Sequence, residues 1–476
     1  MQANSTTVHA GPLLSERQRT IAFATVLTAV VLEVADSTIV NTALPAIRIA
    51  LDASSSQMQW IVAGYLLSLG SLLLLGGKLG DAFGHRRVFL WSVAAFVLTS
   101  VLCGLAQDAG QLVAARILQG AAGAIMAPQG MAIIQLLFTP LERVAKLAYF
   151  GLIVGLAAIV GPILGGLLIE MNLLDLGWRV IFLLNLPVGL GAIVVGRMVL
   201  PHAGELSPPR VDPLGALLFA ASFGAMLFAL THGAEQGWSI LVATLGLAGA
   251  ATAAFAWQRA RRRRAAGKPS IVEPDLFRLP TFAWATCAAF AFAAASIGFL
   301  LVFAVALQQG IGLSPLDTAL VHIPFGAGVM LGVGVLVPRL LPGMGKRLPL
   351  AGGSLMLLGE SAALLIIAGG DGGSALLLAV LFVAGLGMGT LSGPLGPIVV
   401  ADVDRSMAGT ASATYRTSQQ LGGAIGIAVV GAAYFAVRAG HGPLSGLPPA
   451  AAVVAVLVLL ALLAVSRLPA RLFVKG

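Results

Sequence analysis

Long apolar stretches separated by short polar segments repeat along the whole chain. The hydrocarbon core of a bilayer is about 30 Å thick, and roughly 20 apolar residues in helical form are needed to cross it. The pattern predicts fourteen such helices, at 21–43, 57–76, 86–106, 109–135, 143–169, 178–200, 213–231, 238–257, 281–307, 314–337, 347–368, 374–400, 409–434 and 448–466. The chain is therefore expected to be an all-α membrane protein.

The positions of Lys and Arg test this count independently, because cytoplasmic segments of membrane proteins concentrate these residues. If the N-terminus lies inside and each stretch crosses once, all but five of the 28 basic residues fall on the inner side. The exceptions are Arg48, Arg179 and Arg438 on the outer side, and Arg116 and Arg416 within the stretches. This distribution favours an even number of crossings with both termini in the cytoplasm.

Composition gives the same class. Hydrophobic residues make up 58% of the chain and charged residues 10%, whereas a soluble domain carries roughly 25% charged residues. The first 20 residues are polar and contain no small-residue cleavage site. The apolar stretch that follows is too long for a signal peptide and is expected to be a retained helix.

A weak internal repeat divides the chain. Gly84-His85-Arg86-Arg87 follows the second stretch and Gly345-Lys346-Arg347 follows the tenth, each glycine five residues after a leucine. Both segments are expected in the cytoplasm, as in parallel repeats related by an axis along the membrane normal. We therefore predict six-helix bundles at 1–200 and 271–476, with two inserted helices and a basic cytoplasmic loop at 201–270.

For the net charge of +9, the distribution of the basic residues along the chain matters more than their number. The densest basic run, Arg259–Lys268, is expected to contact anionic lipid head groups rather than nucleic acid. Cys103 and Cys287 lie in apolar stretches and are expected to be small buried hydrophobes. The six histidines are scattered, and neither a disulfide nor a metal site is predicted. We expect a monomer without a cofactor other than the coupling proton.

Ionisable groups inside the bilayer are functional hypotheses by default. The first stretch carries Glu33, Asp36, Ser37 and Asn41 on one broad face, with Glu33 about 18 Å along the helix from its start. Such a face must meet water or polar partners. A carboxyl in this setting could exchange a proton near physiological pH, bind substrate, or form a structural ion pair with Arg116.

Other polar positions are ranked lower. Gln119 and Gln129 are candidates for lining a central cavity, beside Ser37 and Asn41. Glu360 is expected to be structurally paired, and Arg416 to extend towards the cytoplasmic surface. Gly77-Lys78 lacks the preceding glycines of a phosphate-binding loop, which leaves an ion gradient as the energy source.

Several motifs resemble those of the major facilitator superfamily, and specifically its fourteen-helix drug:proton antiporters. The matching segments run from Gly77 to Arg87, from Asp36 to Pro45, from Arg116 to Gly120, from Gly161 to Gly166 and from Trp178 to Gly189. The resemblance implies that Gly77, Asp81, Gly84, Arg86 and Arg87 form a conformational lock. It also implies that Gly161, Pro162, Gly165 and Gly166 form the antiporter motif, and that Arg116 takes part in proton coupling. Pro342 stands where the second half would carry the counterpart of Asp81.

The resemblance implies a non-enzymatic transporter in a bacterial inner membrane. The expected function is proton-coupled efflux of lipophilic small molecules such as drugs or antibiotics, by alternating access. An exporter of one narrow metabolite or self-resistance substrate, held by Arg116 if anionic, is the alternative. A lipid-binding or sensor protein of the membrane is a more distant one.

Overall fold

A computed structural model describes residues 15–201, 212–268, 270, 272–404 and 407–469. The chain termini lie outside the described residues, as do Arg210, Arg405, Arg471 and Lys475 of the predicted cytoplasmic segments. The first half is built from α1 (Glu16–Leu51), α2 (Ser55–Phe83), α3 (His85–Gly104), α4 (Ala109–Leu137), α5 (Pro140–Met171), α6 (Val180–Leu183) and α7 (Asn185–Val199).

Two further helices, α8 (Pro213–Gln236) and α9 (Ile240–Ala265), precede the second half. The second half comprises α10 (Pro280–Val305), α11 (Pro315–Leu331), α12 (Val337–Met344), α13 (Arg347–Ala368), α14 (Ala375–Ser392), α15 (Leu395–Val399), α16 (Ala408–His441) and α17 (Leu447–Ser466). A π-helical turn, Ala306–Ile311, extends α10, and another, Gly332–Leu336, joins α11 to α12.

Local sequence explains where many of these helices begin. Ser15, Ser54, Asp108 and Thr139 each accept a hydrogen bond from the backbone N–H three residues later. Side chains of this kind satisfy one of the free N–H groups that every helix leaves at its start. Polar N-cap residues in the sequence therefore determine where these long apolar helices begin.

The membrane-spanning helices can be counted from length and apolarity. Among the described residues, twelve helices qualify. A thirteenth is Ser55–Leu73 with Leu75–Phe83, if these two pieces, bent by 50°, form one span. The predicted stretch 143–169 lies within α5. The apolar segment Val160–Met171 of this helix is too short to count as a crossing. Twelve of the fourteen predicted crossings are thus supported, and the number fourteen is not confirmed.

We call the side on which α1 begins the near side and the side on which it ends the far side. On the far side the two halves of the chain touch. Arg48 Nη1, near the end of α1, donates to Gln309 Oε1 at 3.2 Å. A Cβ placed on Gly166 of α5 would lie 2.7 Å from Leu316 Cα of α11. The halves are therefore in backbone contact on the far side.

The helices between the halves pack as a pair beside the α2–α16 contact, with α8 against α2 and α16 and with α9 on α8. Trp60 Nε1 donates to Thr231 Oγ1 at 3.2 Å. Asp212 caps α8 through the Gly215 N–H and accepts from Arg259 Nη1 at 2.8 Å. Partial burial raises the pKa of Asp212, but the hydrogen bonds from Arg259 and Gly215 outweigh this effect and hold it below its usual value.

Candidate functional site

The polar face of α1 meets α4 inside the first half of the chain. Asp36 is 2% exposed and Arg116 is fully buried. Arg116 Nη1 donates to Asp36 Oδ2 at 2.5 Å, and Gln119 Nε2 donates to Asp36 Oδ1 at 2.9 Å. Of the roles considered for Asp36, the structure shows the ion pair with Arg116, in which both side chains are buried.

Two residues that sequence reasoning missed complete this network. Asn185 Nδ2, at the start of α7, donates to Asp36 Oδ1 at 3.0 Å and to Ser100 Oγ at 2.9 Å. Asn185 lies inside the Trp178–Gly189 motif, and a polar residue buried in an apolar helix was the available signal. Both oxygens of Asp36 are thus held by N–H donors.

The guanidinium of Arg116 has partners besides Asp36. Its Nε donates to the Ile61 carbonyl at 3.1 Å, and its Cζ lies 4.2 Å from the centre of the Tyr65 ring. A buried cation is tolerated only where it is paired and hydrogen-bonded. Arg116 therefore ties α1, α2 and α4 together as well as neutralising Asp36.

Glu33 lies one turn before Asp36 on α1 and is in a different environment. It retains 8% exposure, and its Cγ would lie 3.5 Å from a Cβ placed on Gly123. Arg416, on α16 in the second half, is exposed and acts electrostatically on Glu33. Glu33 is thus a second buried carboxyl on α1, and it feels a charge from the other half of the chain.

The candidates for cavity lining divide into two groups. Asn41 borders a cavity of about 40 Å³ between α1, α5, α10 and α11, together with His322. Ser37 is half-buried and donates to the Val34 carbonyl at 2.7 Å. In this structure the amide of Gln119 is fully buried in the Asp36 network.

Gln129 is held by partners on α2 and α3. Its Nε2 donates to the Gly76 carbonyl at 2.7 Å, and its Oε1 lies 2.8 Å from His85 Nδ1. The side chain is fully buried between α2 and α4, behind the loop that joins α2 to α3. Gln129 therefore fixes this loop and does not face a cavity.

The residues expected to form a conformational lock lie at the end of α2, at Gly84 and at the start of α3. Gly84 has φ 89°, a conformation that favours glycine, and it separates α2 from α3. Arg86 Nη2 donates to the Arg197 carbonyl of α7, and Arg87 is exposed. The side chain of Asp81 is 62% exposed. A Cβ on Gly77 would meet only Pro128, at 3.8 Å, so close packing does not require glycine there.

The antiporter motif lies where α5 passes between α1 and α11. A Cβ on Gly161 would lie 2.5 Å from Thr38 Oγ1, and one on Gly165 would overlap the side chain of Ile39. Pro162 borders the small cavity that also contains Asn41. Small residues let helices approach closely in membranes. The motif therefore lets α5 contact both halves of the chain.

Two other expectations are corrected. Glu360 on α13 is fully buried, and neither of its carboxylate oxygens has a hydrogen-bond partner among the described residues, so the predicted structural pairing is wrong. Cys103 is buried as expected, but Cys287 is exposed.

Comparison with known proteins assigns the family. The sequence model of the Major Facilitator Superfamily matches residues 26–427. The chain belongs to this superfamily. It is thus a multi-pass membrane transporter, in agreement with the apolar helices and with the resemblance of its motifs.

Relatives of the chain include proteins of Streptomyces and Amycolatopsis. The chain is 38% identical to the probable actinorhodin transporter of Streptomyces coelicolor, over 88% of this chain and 73% of that protein. It is 33% identical to the tetracenomycin C resistance and export protein of Streptomyces glaucescens, over 83% of this chain and 72% of that protein. It is likewise 33% identical to a cephamycin export protein of Amycolatopsis lactamdurans, over 86% and 84%.

Solved structures agree on the fold. A bacterial homologue of the human lysosomal transporter Spinster, in an inward-facing and unoccupied conformation, matches with a TM-score of 0.67. The match has 16% sequence identity and covers 96% of this chain and 98% of the other. At this identity the likeness shows the fold of a major facilitator and nothing about its substrate.

Proposed function

We propose that this major facilitator exports lipophilic small molecules, including antibiotics, in exchange for protons. The observation that carries the proposal is the pair of carboxyls on α1. Asp36 is paired with Arg116, whereas Glu33, which is also buried, feels the charge of Arg416 of the other half. The names of the relatives, which mention export of and resistance to antibiotics, support the direction and class of transport.

The proposed architecture has fourteen crossings, with α2 and α5 as full spans. Six-helix bundles would occupy 1–200 and 271–476, and α8 and α9 with the basic segment after them would be the insert at 201–270. The near side would be the cytoplasm, because the Lys and Arg residues are concentrated there. Both termini would then be cytoplasmic in a bacterial inner membrane, with Arg259–Lys268 on anionic lipid head groups.

In the proposed cycle, Glu33 carries the proton, and the Asp36–Arg116 pair responds to its charge. Substrate would enter from the near side while Glu33 is ionised, and protonation of Glu33 from the far side would favour release. Competition between a proton and substrate at one carboxyl is a negative coupling, and such coupling is reciprocal. The far-side contact of Gly166 with Leu316 supports a conformation that is closed outward.

The lock residues would act in the other conformation. Asp81 is exposed on the near side in this structure, with its Oδ1 3.6 Å from His85 Nε2, and would meet the second half when the near side closes. Pro342 offers no acidic counterpart in the second half. We therefore propose one lock, on the first half.

Reconstituted vesicles test the proposal. A pH gradient should drive transport of a lipophilic dye by the natural chain, and an uncoupler should abolish it. Glu33→Gln should abolish gradient-driven transport and retain downhill exchange of the dye. Glu170→Gln is the control, because Glu170 is an exposed carboxylate at the far end of α5. Full gradient-driven transport by Glu33→Gln would exclude Glu33 as the proton carrier.

A narrow-specificity exporter is the second candidate, because three of the relatives are named for a single compound each. A susceptibility panel in an efflux-deficient host, with and without uncoupler, separates the two. Protection against one chemical series would favour the narrow exporter, and protection against unrelated lipophilic compounds the broad one.

A further inference from the structure

A cavity of about 960 Å³ lies beside the end of α9, between this helix and the turn Pro274–Arg278 that precedes α10. The hydrogen bond from Trp60 to Thr231 places the end of α8 on the far side, next to the start of α2. Arg259 of α9 reaches Asp212 at the start of α8, so α9 ends on the near side. The cavity is therefore formed on the near side by the inserted helices and the start of the second half.

Four exposed arginines border this cavity: Arg261, Arg262, Arg264 and Arg278. Asp275, which also borders it, lies 3.1 Å from Arg264 Nε and 3.2 Å from Arg278 Nη1, with one partner for each carboxylate oxygen. Arg264 pairs with Glu273 as well. Among the described residues, no carboxylate lies within ion-pair distance of Arg261 or Arg262. The cavity therefore offers two guanidinium groups without a counter-charge.

Two aromatic rings line the cavity as well. Trp257 of α9 and Phe277 of the turn border it, and their rings meet edge to face with centres 5.3 Å apart. Phe277 in turn meets Phe282 of α10, with ring centres 5.1 Å apart. Tryptophan is enriched where a membrane meets water, because its ring is apolar and its N–H is polar. The lining thus combines cations with an apolar aromatic surface.

Helix α9 exposes an apolar face that leads to the cavity. Leu241, Phe255 and Arg262 are separated by multiples of seven residues and therefore lie on one side of the helix. Leu241 is 68% exposed and Phe255 57%, and only 17% of the apolar segment of α9 is buried in the protein. In a membrane this face meets acyl chains, so a molecule whose head contacts Arg262 can lay an apolar tail along α9.

Together these features select an anionic lipid among the possible occupants. A soluble anion would meet the arginines but would leave the aromatic rings and the apolar face unused. A zwitterionic lipid would cover the apolar face but would bring its own cation beside Arg261 and Arg262. A guanidinium group binds phosphate through parallel hydrogen bonds, and basic pockets on the cytoplasmic side of membrane proteins bind anionic head groups.

We propose that one anionic phospholipid molecule binds in this cavity, with its phosphate on Arg261 and Arg262 and an acyl chain along Phe255. The lipid joins α9 to the turn before α10 and so ties the inserted helices to the second half. This inference rests on the proposed placement of the basic segment at the inner membrane surface, and it narrows that contact to one lipid molecule and two arginines. It does not depend on proton exchange.

Native mass spectrometry of the full chain, stripped of lipid in detergent, counts the lipid molecules that rebind. Dioleoylphosphatidylglycerol and dioleoylphosphatidylcholine are the probes, since they share acyl chains and differ in net charge. An arginine near the membrane surface strengthens the binding of an anionic lipid about fivefold. The first molecule of phosphatidylglycerol should therefore bind about 25-fold more tightly than the first molecule of phosphatidylcholine.

Arg261→Gln combined with Arg262→Gln should weaken the binding of the first phosphatidylglycerol about 25-fold and leave that of phosphatidylcholine unchanged. Both side chains are exposed, so the thermal midpoint of unfolding should not change. Arg339→Gln combined with Arg347→Gln is the control, because these exposed arginines lie outside the cavity lining and their replacement removes the same charge. The control should bind phosphatidylglycerol as the natural chain does.

Three results would overturn the proposal. Equal affinity of the natural chain for the two lipids, which requires no variant, would mean that the cavity does not select an anionic head group. An equal loss of affinity in the control would mean diffuse attraction to the near side instead of a site. Binding of glycerophosphoglycerol, the head group without acyl chains, as tightly as phosphatidylglycerol would mean a site for soluble anions. None of these results bears on transport by Glu33→Gln, so this proposal and proton exchange fail independently.

Discussion

Replacement of Arg116 by Met is the sharpest test of the buried network. The change keeps an unbranched apolar chain against Tyr65 but removes the charge and the hydrogen bonds to Asp36 at 2.5 Å and to the Ile61 carbonyl at 3.1 Å. Because Asp36 is 2% exposed, the carboxylate is left buried without its counter-charge. Breaking a buried pair from one side costs about 3–5 kcal/mol.

The companion change, Asp36→Asn, leaves the guanidinium unpaired in turn and should cost about 3 kcal/mol. If the two losses were independent, the double variant would lose their sum. Removing both charges together leaves no isolated ion, so the double variant should lose little more than either single variant. We therefore expect a coupling free energy of about 3 kcal/mol.

Equilibrium unfolding in mixed micelles containing sodium dodecyl sulfate, followed by circular dichroism, measures these free energies. Arg48→Met combined with Asp36→Asn is the control, since the two residues lie about 18 Å apart along α1 and their losses should add within about 0.5 kcal/mol. Additive losses for Asp36 and Arg116 would refute the reasoning, because they would mean that water or another group compensates the charge left behind.

Three further expectations concern other parts of the molecule. Gly166→Ala should open the far side and lower the thermal midpoint of unfolding, because its Cβ would meet the backbone of α11. Gly191→Ala is the control, since there is open space at its Cβ. Unchanged chemical labelling of residues on the far side would contradict this expectation. The stabilisation from Asp212 should be present above about pH 4 and lost as the pH falls through its lowered folded pKa. The thermal midpoint of Asp212→Asn should therefore depend less on pH in acid than that of the natural chain. Glu360→Leu should be neutral or stabilising by about 1–3 kcal/mol, since neither carboxylate oxygen is bonded; a fall in the unfolding free energy would show an unseen partner.

Much of the fold follows from local sequence. Apolar stretches of bilayer length give helices because a backbone in lipid must satisfy its own hydrogen bonds, and polar caps such as Ser54 and Thr139 set where they begin. Asp36 of α1 and Arg116 of α4 could also be singled out from the sequence, since each is a charged residue in an apolar stretch. Sequence also pointed to Gly161–Gly166 as a close contact.

Only the tertiary structure decided which polar residues meet. A helix shows that Glu33 and Asp36 share a face, but not that Asn185 of α7 reaches Asp36 while Arg416 acts on Glu33. Periodicity gives the face of a helix and not what lies against it, so it did not show that Gln119 and Gln129 are fully buried. The pairing of α2 with α16 and the placement of α8 beside them bring together residues more than 100 positions apart. The physical reason is that side-chain packing between distant segments, unlike helix formation, leaves no periodic trace in the sequence.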